Sequence, residues 1–334
     1  MTEPIALEIG DSSQTGDARR KAIALSHRLG FNEVEQGKVG LVVTEVANNL
    51  ANHAHDGQLL LCPLEQQGIL GLQLLALDRG PGIQDIGLCL QDGFSTAGTP
   101  GNGLGAMQRL SDRFEIYSVP DQGTAILCQL WAGSQIPRSP GRLEIGAVCL
   151  PKSGEEIAGD VWTSCSLGDR DLILVADGLG HGSLAAQASL EAVRIFHEQA
   201  HCHPVDILKT AHAALRTTRG AAIAIAAVDL PQQTVTYAGI GNIAGCLCMA
   251  EQSTSMVSHN GTIGHELRKI QAFHYSWSSG NLLIMHSDGL RTQWRLDRYP
   301  GLCHKHPSLI AGVLYRDFNR GRDDVTVLVA REVN

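Results

Sequence analysis

Aromatic residues are scarce, 4% of 334, so the core must be built from aliphatic side chains, and the 37 glycines point to many tight turns and close backbone approaches. No apolar run approaches the ~18 residues of a membrane span. The longest, residues 221–228, has the length of a buried strand. No Lys- or Arg-rich run offsets the net charge of −8, which argues against nucleic acid and against an anionic membrane surface as partners. The opening MTEPIALEIGD has no basic stretch leading into an apolar one, so a cytoplasmic chain without a signal peptide is expected. The 9 cysteines are odd in number and sit mostly in apolar segments, which fits buried free thiols better than a disulfide framework. Cys246/Cys248, His201/Cys202/His203 and His304/His306 lack the CxxC or HxxxH spacing of a tetrahedral site, so zinc is not expected.

What is present suffices for two ordinary cores. Apolar residues make up 43% and charged ones 18%, and a domain takes roughly 150 residues. The segment GSQIPRSPGR, residues 133–142, carries two prolines and two serines and reads as a linker between domains at 1–132 and 143–334. In the first domain the pattern predicts a strand at IALEI and helices over 18–29, 33–52 and 105–112. Further strands are predicted over 58–63, 71–77, 114–118 and 124–130. That is an α+β sandwich with helices on one face of a mixed sheet. In the second domain, strands over 143–151, 161–167, 171–176, 221–229, 234–239, 281–286 and 325–330 surround helices at 184–198 and 204–217. Many strands with few helices suggest two packed sheets flanked by helices.

Three elements of the first domain carry chemistry. The helix LVVTEVANNLANHA holds three asparagines, each lowering helix propensity by roughly several tenths of a kcal/mol, so their clustering needs a reason. Glu45 and Asn49 share one face, with Asn48 and Asn52 flanking. A carboxylate one turn from an amide oxygen can hold hydrated Mg²⁺ and act on a nearby hydroxyl, whereas a solvated polar helix face is the plain alternative. The strand LLAL ends in Asp78, able to accept from an exocyclic amine, and Gly80 and Gly82 follow. Finally GNGLGA, from Gly101 through Gly103, Leu104 and Gly105, opens a helix whose N–H groups suit phosphate.

The set E-x-x-N-N, D-x-G-P-G-I, G-x-G-L-G and G-T resembles the GHKL ATPase fold, and more narrowly the RsbT-type switch kinases of bacterial partner-switching systems. The resemblance implies ATP and Mg²⁺ as cofactors. It makes Asn49 the Mg²⁺ ligand, Glu45 the catalytic base and Asp78 the reader of adenine. Gly80, Gly82, Gly101, Gly103, Leu104 and Gly105 would line the phosphates, with Thr124 supporting the base. Only about twenty residues separate Gly82 from Gly103, so any lid over ATP is short.

In the second domain, apolar strands twice end in Asp-Gly, at Asp177-Gly178 and Asp288-Gly289. Asp160 lies in IAGDVW, and Asp323 and Asp324 precede the last strand. Gathered at one sheet edge, these hard oxygen donors suit Mg²⁺ or Mn²⁺, and a pair of such ions could activate water against a phosphoryl group. Each Asp-Gly taken alone is also an ordinary turn. The ordered set IAGDVW, VADGLGHG, GIGN, HSDGL and RDDVTVLV resembles the SpoIIE/RsbX branch of metal-dependent Ser/Thr phosphatases. Its α-β-β-α sandwich is thereby implied. So are metal ligands at Asp160, Asp177, Gly178, Asp288 and Asp323, with Asp177 and Asp288 central to catalysis. Asp324 stands where many relatives have Asn. His181 either orients the leaving group or shapes its turn.

Together the resemblances imply a bifunctional regulator that phosphorylates a partner on Ser or Thr and hydrolyses phospho-Ser/Thr. The expected partner is a STAS-domain protein, a stressosome-like scaffold or a sigma-factor regulator. The alternative is a phosphatase whose N-terminal module binds ATP and sequesters a regulator without transferring phosphate.

Overall fold

A computed structural model describes residues 4–91, 103–133, 136–137, 141–249 and 252–333. They fall into two units, Met1–Pro140 and Gly141–Asn334. The linker reading at 133–142 lies partly outside the described residues.

The first unit runs β1 (Ile5–Glu8), α1 (Ser13–Arg28), α2 (Glu33–His53), β2 (Gln58–Gln66), β3 (Ile69–Leu77), a single turn α3 (Ile86–Cys89), α4 (Gly103–Leu110), β4 (Arg113–Ser118) and β5 (Thr124–Trp131). Its sheet has the order β1-β2-β3-β5-β4. Every neighbouring pair is antiparallel, so the expected mixed sheet is corrected. The cause is local. Gln67 and Gly68, at φ 55° and 76°, turn β2 straight back onto β3, the paired positive φ that suits strand twist. One sheet face, including Leu59, Leu61, Leu72 and Leu74, packs on Leu25, Val39, Val43 and Val46 of α1 and α2. The helix α2 is started by a reciprocal cap: Asn32 Oδ1 accepts from Glu35 N at 3.0 Å, and Glu35 Oε2 accepts from Asn32 N at 2.8 Å.

The second unit opens with β6 (Leu143–Leu150), β7 (Asp160–Leu167), β8 (Arg170–Gly178), α5 (Ser183–Glu198) and α6 (Pro204–Ala214). It continues through β9 (Ala221–Asp229), β10 (Thr234–Ile240), β11 (Ala244–Met249), β12 (Gln252–Met256), β13 (Ser258–His259) and β14 (Phe273–Ser276). It closes with β15 (Leu282–His286), α7 (Pro307–Phe318) and β16 (Val325–Glu332). One sheet has the order β13-β10-β9-β8-β7 with β14 added on β10, and the other β12-β11-β15-β16-β6. Val175, Ala224, Tyr237, Leu283, Met285 and Leu328 fill the space between them. Ala188, Ala192 and Phe196 of α5 with Ile207 and Leu208 of α6 cover the first sheet, and α7 lies on β6 and β16 of the second. This is the expected α-β-β-α sandwich, with α7 as the outer layer that the sequence pattern did not reveal. Among the described residues no helix is long and apolar enough to cross a membrane.

Candidate functional site

In the first unit the helix pair α2 and α4 builds the expected floor. Glu45 and Asn49, one turn apart, both face the first residue of α4. A Cβ added to Gly103 would stand 2.9 Å from Glu45 Oε2 and 3.6 Å from Asn49 Oδ1. Glycine there keeps the open end of α4 against a carboxylate and an amide. Gly105 is buried and Leu104 packs on the core, so they anchor α4. Gly101 lies outside the described residues. Asn48 turns instead toward α1, accepting from Thr15 Oγ1 at 3.3 Å, and Asn52 is exposed.

Asp78 follows β3 and is pinned by backbone donors: its Oδ1 accepts from Gly80 N at 2.7 Å and Thr124 N at 3.3 Å. Its own N–H donates to Thr124 O at 2.9 Å. Gly123 makes this approach possible, because at φ 82° a Cβ there would lie 2.0 Å from Asp78 O. Ser118 was not singled out by sequence reasoning. Its hydroxyl lies 2.9 Å from Thr124 Oγ1 and accepts from Ile83 N at 2.8 Å, joining the loop through Gly82 to β4 and β5.

In the second unit the carboxylates converge because four strand ends meet, two from each sheet, which corrects the expected gathering at one sheet edge. Asp160 and Asp177 are direct cross-strand partners of β7 and β8. Asp288 follows β15, and Asp323 and Asp324 precede β16, its antiparallel neighbour. Asp324 is the buried member of its pair. Lys152 N and Gly159 N donate to its two oxygens at 2.7 and 2.8 Å, while Asp323 is exposed and accepts from Asp324 N at 3.0 Å. Asn242, between β10 and β11, donates to Asp177 Oδ2 at 3.2 Å and Asp288 Oδ2 at 2.8 Å. The GIGN motif contained it, yet its bridging role depends on three separate strands and no spacing reports it. Gly178 is buried at the end of β8, paired with Ala221. His181 is 2.6 Å from Glu155 Oε1, so it ties the turn after Asp177 to the segment between β6 and β7. Arg219 was also missed. Its Nη1 stands 2.8 Å from where a Cβ on Gly180 would lie, beside the loop that follows Asp177.

The electrostatics are those of crowded, buried negative charge. Burial first, then the Asp288 carboxylate, pushes Asp177 up to about 7 despite the Asn242 hydrogen bond. Burial and the neighbouring Asp177 raise Asp160 well above the ordinary carboxylate range. Asp160 Oδ2 is buried with no hydrogen-bond partner. Among the described residues the side chains do not form a closed group of three around one metal position. An orphaned buried oxygen beside carboxylates that repel one another is a hard-oxygen donor set whose chemistry fits a divalent ion.

Comparison with known proteins gives each unit relatives. Residues 10–129 match the histidine kinase-like ATPase domain family, and residues 168–332 match the Stage II sporulation protein E (SpoIIE) family. The chain is 38% identical over 114 residues to the serine/threonine-protein kinase RsbT of Bacillus subtilis (strain 168), spanning 34% of this chain and 86% of RsbT. It is 29% identical over 143 residues to the phosphoserine phosphatase RsbX of the same organism, spanning 42% of this chain and 71% of RsbX. A solved structure described as the bacterial stressosome, a modular system adapted to control secondary messenger signalling, is 27% identical with a TM-score of 0.54. That match covers 57% of this chain and 100% of that one. RsbX crystallised with magnesium shares the fold at a TM-score of 0.52 and 22% identity, over 60% of this chain and 99% of that one.

Proposed function

Because the chain belongs through its first unit to the histidine kinase-like ATPase family that includes RsbT, and carries a SpoIIE-type domain in its second, we propose that it sets the phosphorylation level of a partner protein from both directions. The first domain, residues 1–132, transfers the γ-phosphate of ATP to a Ser or Thr, and the second, residues 143–334, removes it. The observation carrying the kinase half is that Glu45 and Asn49 share the open end of α4. There Glu45 takes the proton of the acceptor hydroxyl, Asn49 holds Mg²⁺ with the nucleotide, and Asp78 accepts from the adenine amine. Gly80, Gly82 and Gly103 lie along the phosphates, with Gly101 added by the resemblance alone, while Leu104 and Gly105 seat α4 on the core beneath them and Thr124 supports the base. A carboxylate at that place favours phosphate transfer over a domain that only sequesters a regulator.

In the phosphatase half Asp160, Asp177, Asp288, Asp323 and the Gly178 carbonyl hold divalent ions, Mg²⁺ or Mn²⁺. Bound there, such ions supply an activated water and neutralise phosphoryl charge. Asn242 keeps Asp177 and Asp288 in mutual register, Asp324 fixes the Gly159 turn, and Arg219 offers a guanidinium to the incoming phosphate. The partner best matched to these relatives is a STAS-domain protein, alone or in a stressosome-like scaffold.

The test uses a STAS protein from the same genome with labelled ATP. The full chain carrying Asp177→Asn should accumulate labelled Ser or Thr on it, and the Glu45→Ala chain should strip label from prephosphorylated protein. Stripping without any labelling would leave the phosphatase and refute the kinase.

A further inference from the structure

Strand β11 holds two thiols that neither proposed activity uses. Cys246 and Cys248 are two residues apart, so the strand period of two puts both on the same face. Leu247 between them points the other way, into the space between the sheets. The two sulfurs are 3.5 Å apart. A disulfide bond is about 2.05 Å long and sets its Cβ atoms about 3.8 Å apart, whereas same-face positions of a strand are spaced about 6.6 Å, so closing the link also requires β11 to buckle locally. The neighbouring strand β12 lies at the sheet edge, and Gln252, Ser253, Thr254 and Ser255 along it are exposed. Ser255 and Ser253 are the direct cross-strand partners of Cys246 and Cys248, which opens the approach to Cys246, itself half-buried.

We propose that Cys246 and Cys248 form a reversible dithiol site that reacts with small disulfides to give an intramolecular disulfide. The Cys246 thiolate attacks one sulfur of the reagent, the reagent's S–S bond breaks, and its first half leaves as a thiolate that takes up a proton. Cys248 then loses its proton and attacks the Cys246 sulfur, and the second half of the reagent leaves as a thiol. The protein loses two electrons and two protons, and the reagent gains both. The order of attack follows from the local chemistry. The hydrogen bond from Cys248, helped by the backbone N–H of Thr254, holds the Cys246 thiol below the usual cysteine range, whereas Cys248 is raised well above it. Burial pushes Cys128 of the first unit up to about 12, which makes it an internal reference for an unreactive thiol.

The test treats the full chain with oxidised glutathione, blocks remaining thiols by alkylation and maps the peptides by mass spectrometry. The expected product is a 246–248 link, two hydrogens lighter, reversed by dithiothreitol, formed at least about tenfold faster than any adduct at Cys128. Cys248→Ser should halt at the glutathione adduct on Cys246, and Cys246→Ser should leave Cys248 unreacted. A wild-type chain that stops at a mixed disulfide, stays reduced, or links either residue to another cysteine overturns the proposal. The wild-type map decides alone, even if a serine variant fails to fold.

Discussion

Asn242 is the smallest feature on which the phosphatase site turns. Its single amide nitrogen serves two carboxylates that would otherwise face each other across the ends of β8 and β15. Asn242 is exposed and its two acceptors are half-buried, so its loss should cost toward the low end of the roughly 1.5–3 kcal/mol of a hydrogen bond to a charged group. Asn242→Ala should therefore lower turnover of p-nitrophenyl phosphate sharply, while the labelling of a partner by the first domain stays intact. Side-by-side assays of both activities on one preparation check this, and equal loss of both would point to misfolding instead. Legibility in sequence divides at this scale. Glu45, Asn49, Asp78 and Asp177 announced themselves by chemistry and neighbours. Asn242 and Ser118 act through hydrogen bonds to chain more than thirty residues away, and a one-dimensional pattern cannot record such pairings.

Among the elements, α2 is both the best announced and the most testable. Its apolar period and its asparagines were visible, and its start is fixed by the Asn32–Glu35 cap, roughly 15 Å of helix away from Glu45 at its nearest. Asn32→Ala should cost ~1 kcal/mol of the first unit's stability. Chemical denaturation should show the lowered midpoint, and calorimetry should find ATP affinity unchanged, because the cap touches none of the pocket. The helix α7 shows the opposite case. Residues 307–316 are all buried, so it has no polar face, and a short apolar run without a period reads as strand as readily as helix. The strands β11 and β12 hid for a different reason. Their sequence GCLCM and QSTSM alternates small, sulfur-bearing and hydroxyl residues with little contrast between faces. The start of α1 at Ser13, ahead of the expected 18, is a first turn made of polar residues that the apolar pattern could not register.

At the scale of the whole molecule, two units with separate cores should respond separately to ligands. A ligand that binds only the folded state stabilises by RT ln(1 + [L]/Kd), ~2.7 kcal/mol at a hundredfold excess over Kd. For a unit of the second one's size that is a rise of about 5–10 °C in melting temperature. Scanning calorimetry of the full chain should show Mn²⁺ moving one transition by that amount, and Asp177→Asn should abolish the shift. A single transition that moves as a whole would show that the units melt together.

The pairing of Asp160 directly opposite Asp177 also carries a consequence in time. Without a counter-ion, these apposed carboxyls must repel or take up protons, and either way the strand pair loses the tightening that a bound cation would bring. The two proposed activities would then age at unequal speeds, the dephosphorylating half spoiling first in storage without divalent ions. A preparation stored with chelator and only then returned to Mg²⁺ and ATP would drift toward net phosphorylation of the proposed partner, with no change in the amount of protein.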